Sequence, residues 1–156
     1  MARQPRFTRE NVKYHVTAKA NRGEMSFEDA AIKELMIDII KRAKQKYTFA
    51  LDNFCLMDNH IHIMIYPGKG ESLSKIMQWI LGVFAAAYNR HKKQKGHVFG
   101  ERFKSKIIET LQQYIRTYDY IANNPVKAKM VNHPTDYKYN GITFLKNNRV
   151  VLFGLK

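Results

Sequence analysis

Cysteine is nearly missing, with one residue in 156. Cys55 alone rules out an intrachain disulfide and a cysteine-based zinc cluster, so a reducing, cytoplasmic setting is expected. Long apolar runs are missing too. None approaches the roughly 18 residues of a membrane span, and the opening residues do not read as a charged-then-apolar leader. There is no internal repeat, no low-complexity tract and no linker rich in Gly, Pro or Ser. One domain over residues 1–156 is therefore expected, at roughly 150 residues per domain. A (β/α)₈ barrel is excluded, because it needs roughly 200 residues or more. Acidic residues are the last shortage: 13 Asp and Glu against 27 Lys and Arg leave a formal charge of +14.

What is present reads as a folded, polyanion-binding protein. The chain is 45% hydrophobic and 26% charged, which is too apolar for a disordered segment. Its basic residues are spread over Arg3–Arg9, Lys13–Arg22, Arg90–Lys95, Arg102–Lys106 and Lys127–Lys129. No basic amphipathic anchor helix stands out, so nucleic acid is the favoured partner and no membrane is expected.

Periodicity gives the elements. Val12, Tyr14, Val16 and Ala18 alternate with Lys13, His15, Thr17 and Lys19, predicting a strand over Val12–Ala20. Ile32, Leu35, Met36, Ile39, Ile40 and Ala43 predict a helix over Glu28–Lys46. Thr48–Leu56 and His60–Tyr66 read as a hairpin around Met57-Asp58-Asn59. Ser72 caps a second helix that frays at Arg90–Lys95 and stops by Gly96. His97–Glu109 reads as extended, with Arg102, Lys104 and Lys106 on one face. A third helix over Leu111–Asn123 should end near Asn124-Pro125, since proline pushes its predecessor out of helical geometry. The remainder, including the apolar run Val150–Leu155, is ambiguous. The order β-α-β-β-α-β-α indicates an α+β domain with a mainly antiparallel sheet flanked by helices.

Two motifs carry chemistry. His60 and His62 project to one face of their strand, about 7 Å apart between Cα atoms, and can converge on one divalent cation. They can equally be half-exposed histidines on a polar sheet face. A metal-dependent dioxygenase fits poorly, because no Asp or Glu follows His62 until Glu71. In the third helix, Leu111, Tyr114, Ile115, Tyr118, Ile121 and Ala122 cluster on an apolar side, which assigns Tyr114 and Tyr118 to packing. Tyr120 falls on the polar side with Gln113, Thr117 and Asn124, and Asn124 is its i+4 neighbour. Tyr120 is therefore an exposed aromatic, a base-stacking platform or a nucleophile. A phenol with a pKa near 10 is a poor unaided nucleophile, and a cation held by the histidines and the Asn124 amide could activate its target.

Taken in order, these segments resemble the HUH single-strand endonucleases, and within them the REP-associated branch of the single-tyrosine transposases. The likeness rests on Tyr14-His15-Val16-Thr17, Leu56-Met57-Asp58-Asn59-His60-Ile61-His62, Gly96–Ser105 and Tyr120-Ile121-Ala122-Asn123-Asn124-Pro125-Val126-Lys127-Ala128. It covers roughly residues 10–135 and leaves 136–156 as a C-terminal extension. Asp58 stands where relatives usually carry proline. The resemblance implies a ferredoxin/RRM-like fold and cleavage of single-stranded DNA near a hairpin. Tyr120 would form a 5′-phosphotyrosine link, and His60, His62 and Asn124 would hold Mg²⁺ or Mn²⁺. Arg90, Lys92, Lys93 and Lys95, with Arg102, Lys104 and Lys106, are the expected DNA contacts. A monomer is expected, a dimer being the alternative. The competing reading is a non-catalytic module that binds hairpin RNA or DNA.

Overall fold

The computed structural model describes residues 9–149 and 152–154. Strand β1 (Lys13–Lys19) leads into α1 (Ala30–Lys46), β2 (Phe49–Leu56), β3 (His60–Pro67) and α2 (Leu73–Lys92). These are followed by β4 (Lys104–Ile108), α3 (Leu111–Lys127) and a short α4 (Gly141–Lys146). The strands form one antiparallel sheet in the order β2-β3-β1-β4, a ferredoxin-like β-α-β-β-α-β arrangement.

Strand alternation makes the two faces of this sheet chemically different. Tyr14, Val16 and Ala18 align with Ile65, Ile63 and Ile61, and all six are buried. They join Ile32, Ile39 and Ile40 of α1 and Ile76, Ile80 and Phe84 of α2 in one core. The opposite face sets His15, Thr17 and Lys19 beside Met64, His62 and His60, with Lys106 and Lys104 on the other flank. Helix α3 lies on this polar face, where Asn53 of β2 donates to the Tyr118 carbonyl over 3.1 Å. The core therefore sits between the sheet and α1/α2, and α3 lies across the polar face.

The caps explain most helix boundaries. Asp29 is the N-cap of α1, its carboxylate accepting from the Ala31 amide, so the helix begins two residues after Glu28. Ser72 caps α2, which ends on Lys93 in the left-handed region. Thr110 and Gln113 close a capping box at the start of α3.

Three expectations need correction. Helix α3 does not stop at Asn123 but continues through Pro125 to Lys127. Pro125 sits in the last turn, where the carbonyls of Asn124, Val126 and Pro125 still receive the amides of Ala128, Lys129 and Met130. Among the described residues, the apolar stripe of α3 is covered only at its C-terminal end. Ile121 and Ala122 are buried, whereas Leu111 and Ile115 are 75% and 51% exposed, and Tyr114 and Tyr118 are half-buried and stacked on each other. The extended segment is a strand only from Lys104 to Ile108. Its upstream part loops past the end of β1, held by Asn21 N–H to Val98 O and Gly100 N–H to Lys19 O.

The C-terminal region packs along β2. The Leu56 amide donates to Tyr139 O, Cys55 bridges to Asn140, and Leu51 bridges to Phe153. Leu152 is fully buried, while Val150, Val151 and Leu155 of the apolar run lie outside the described residues. No helix among the described residues is long and apolar enough to cross a membrane.

Candidate active site

The β2–β3 turn aims the histidine strand. The Met57 amide bonds His60 O at 2.9 Å, and the Ala20 amide bonds Asn59 O at 2.9 Å. Lys33 reaches from α1 to Asp58 Oδ1 at 2.7 Å and to Glu28 O at 3.1 Å. The Lys33 ammonium is buried and would be costly without that carboxylate, so Asp58 anchors the turn to α1 by charge. His60 and His62 then project together onto the polar face, ring centroids 4.9 Å apart and planes perpendicular.

Helix α3 brings the other two residues. Because the helix runs unbroken through Pro125, Tyr120 and Asn124 keep their i, i+4 relation and face β3 side by side. Asn124 is buried, with Nδ2 3.2 Å from His62 Nε2, and its side chain also hydrogen-bonds His60. The Tyr120 ring stands edge-on to His62, centroids 5.5 Å apart, and remains 47% exposed. The four residues singled out for chemistry thus meet in space.

A fifth residue joins them. His15 lies 3.0 Å from His62 through Nε2 and Nδ1, and its ring is 6.0 Å from that of Tyr120. The alternation of β1 placed His15 on the polar side of its strand, but only the pairing of β1 with β3 brings it to His62. Burial is the main reason why all three imidazoles resist protonation. His62 is pushed down to about 3, with His60, His15 and Lys19 adding positive charge nearby. Burial also lowers His60, helped by Lys19 and opposed by the Asn124 hydrogen bond, and lowers His15 together with Lys106. Neutral imidazoles keep a lone pair for a ligand.

This cluster forms part of the wall of a cleft of about 1160 Å³. Lys19, Arg22, Lys104, Lys106 and Arg116 supply its positive charge. Of the expected DNA contacts, Lys104 and Lys106 line it. Arg102 precedes β4 and lines a separate hollow between α2 and residues 96–103, so it does not share their face. Arg90, Lys92, Lys93 and Lys95 sit at the C-terminal end of α2 or just beyond it, outside the cleft, with Lys92 facing Asp29 at 3.7 Å. Lys19, Arg22 and Arg116 line the cleft as well. They come from three separate elements, and only the fold gathers them.

A family model described as "Transposase IS200 like" matches residues 8–124, three quarters of the chain, ending on Asn124. The chain belongs to the IS200-like transposases. A comparison with curated proteins finds no match. Among solved structures, the transposase is similar to a REP-associated tyrosine transposase bound to a REP hairpin. That likeness has a TM-score of 0.79 at 20% identity and covers 99% of this chain and 90% of the other. It is also similar to a protein described as a candidate transposase of Deinococcus radiodurans, with a TM-score of 0.56 at 14% identity. That second likeness covers 78% of this chain and 97% of the other. At these identities the likenesses establish the fold: the transposase has the α+β architecture of a REP-associated relative.

Proposed function

We propose that this transposase nicks and rejoins single-stranded DNA beside a hairpin, as a REP-associated tyrosine transposase would, with Tyr120 as nucleophile. The observation that carries this reading is the 5.5 Å approach of the Tyr120 ring to His62 at the wall of a basic cleft. Hairpin recognition is carried over from the REP-associated relative, which was solved with a REP hairpin.

In the proposed reaction Tyr120 Oη bonds to phosphorus as the bond to the 3′ oxygen breaks. The phenol releases its proton and the 3′ oxygen leaves as a hydroxyl. One phosphodiester replaces another, so attack by a different 3′-OH reverses the step without ATP. Lys104, Lys106 and Arg116 hold the backbone on either side and offset its charge.

The donor set suits a divalent cation. His60 and His62 offer neutral nitrogens, and the Asn124 amide lies against both. No three His, Cys, Asp or Glu side chains form a metal-holding group among the described residues. The set is therefore two imidazoles and an amide, open to water and a phosphate oxygen, which suits Mn²⁺ or Mg²⁺. When bound, such a cation polarises the phosphoryl oxygen and offsets developing charge. Asn124 would offer the cation its Oδ1, since an amide nitrogen has no lone pair to give.

The test is incubation with labelled hairpin-bearing single strands and Mn²⁺, read on a denaturing gel. A slow covalent species, lost in Tyr120→Phe and kept in Tyr118→Phe, is the expected result. Tight binding with no adduct from the wild type would leave a non-catalytic binding module instead.

A further inference from the structure

Both imidazoles of the His60–His62 pair have a neighbour on the same ring edge. His60 Nδ1 lies 2.7 Å from Asn59 Oδ1. His62 Nδ1 lies 3.0 Å from His15 Nε2 and 3.3 Å from Thr17 Oγ1. On the far edge of His62, Nε2 meets Asn124 Nδ2 at 3.2 Å.

These contacts decide where the His62 ring hydrogen is. An amide nitrogen has hydrogens to give and no lone pair to offer, so Asn124 donates and His62 Nε2 accepts. A neutral imidazole has a single N–H, which in His62 must then be on Nδ1. Of the two acceptors near His62 Nδ1, the His15 nitrogen is the nearer.

We propose that His15 is a positioning residue for His62. Its Nε2 accepts the Nδ1 hydrogen of His62, fixing the tautomer and ring plane so that the Nε2 lone pair faces the Asn124 amide and a divalent cation can take it. The inference rests on the metal reading proposed above for its purpose, though not for the tautomer itself. In the sheet register His62 is opposite Thr17, and His15 is opposite Met64. His15 therefore reaches His62 along the diagonal, through ring orientation and not by direct strand pairing. Partners of this kind, on the far nitrogen of a ligating histidine, typically govern affinity about 10- to 100-fold.

Two measurements test it. The first is the long-range ¹⁵N–¹H spectrum of the metal-free protein at mildly alkaline pH. It should show His62 protonated on Nδ1 in the wild type, a tautomer mixture in His15→Leu, and the wild-type pattern in His15→Gln, whose amide oxygen can accept in the same place. The second is Mn²⁺ affinity by electron paramagnetic resonance without DNA. Here His15→Leu should weaken binding about 10- to 100-fold, His15→Gln should recover most of it, and Thr17→Val should change it little. His62 protonated on Nε2 in the wild type overturns the proposal, as does an unchanged tautomer in His15→Leu. A larger loss in Thr17→Val than in His15→Leu assigns the role to Thr17 and overturns it too. If the tautomers behave as stated but the wild type binds no Mn²⁺, the metal reading fails while the His15 contact stands.

Discussion

His62 and Asn124 stand 62 positions apart in sequence and meet at 3.2 Å between Nε2 and Nδ2. The contact ties the middle of β3 to the last turn of α3. It also sets Tyr120, one helical turn earlier, over the same strand. Asn124→Ala removes the amide that donates to His62 Nε2. A buried group left unsatisfied costs about 1–3 kcal/mol, measurable by urea unfolding. Covalent adduct yield should fall at least tenfold, and Asn124→Asp, which restores an oxygen donor, should recover more of it than Asn124→Ala.

The cleft residues and the α2 terminus make opposite predictions for DNA affinity. Lys106 and Arg116 line the cleft, whereas Lys93 and Lys95 do not. Lys106→Ala and Arg116→Ala should each weaken single-strand binding and lower the slope of log K against log salt by about 1. Lys93→Ala and Lys95→Ala should leave that slope nearly unchanged. Fluorescence anisotropy across a salt series separates the two groups.

Gly141 supports α3 from below. A Cβ there would meet Asn53 Oδ1 at 2.2 Å and the Asn53 Cα at 3.2 Å. Asn53 is fully buried and donates to Tyr118 O, so a displaced Asn53 would push on the helix that carries Tyr120. Gly141→Ala should cost about 1–3 kcal/mol of stability. It should also reduce adduct yield although it lies outside the cleft.

Tyr137 sets an alkaline limit. Its hydroxyl donates to Leu56 O, and burial, reinforced by Cys55 and Asp58, raises the phenol well above its usual value of 10.0. In the unfolded chain the phenol ionises near pH 10, whereas in the native state it keeps its proton. Above pH 10 the unfolded state binds fewer protons, so stability falls as pH rises. Tyr137→Phe should cost about 1 kcal/mol at neutral pH for the lost hydrogen bond. It should also make the decline above pH 10 shallower, as read by urea midpoints over a pH series.

Periodicity carried the fold a long way. The alternation of β1, the stripe of α1 and the Met57-Asp58-Asn59 turn all lie in short windows where side-chain spacing reflects backbone geometry directly. The burial of α3 was not legible in the same manner. Its apolar spacing continues to Leu111, but a helix face is buried only where another element covers it, and among the described residues nothing covers Leu111 and Ile115. Pro125 misled for a related reason. Its local penalty is real, yet the amides that follow it still find carbonyls in the last turn.

By itself the sequence determined the element order as far as α3, the polar face of β3 with His60 and His62, and the placing of Tyr120 and Asn124 one turn apart. Each of these follows from spacing within a single element. The tertiary structure alone decided that His15 meets His62 and that Lys19, Arg22 and Arg116 share a cleft with Lys104 and Lys106, while Arg102 does not. Those outcomes depend on which strands pair and on which sheet face α3 lies. Such choices are made by burial and hydrogen bonding between distant segments, and no local window of residues records them.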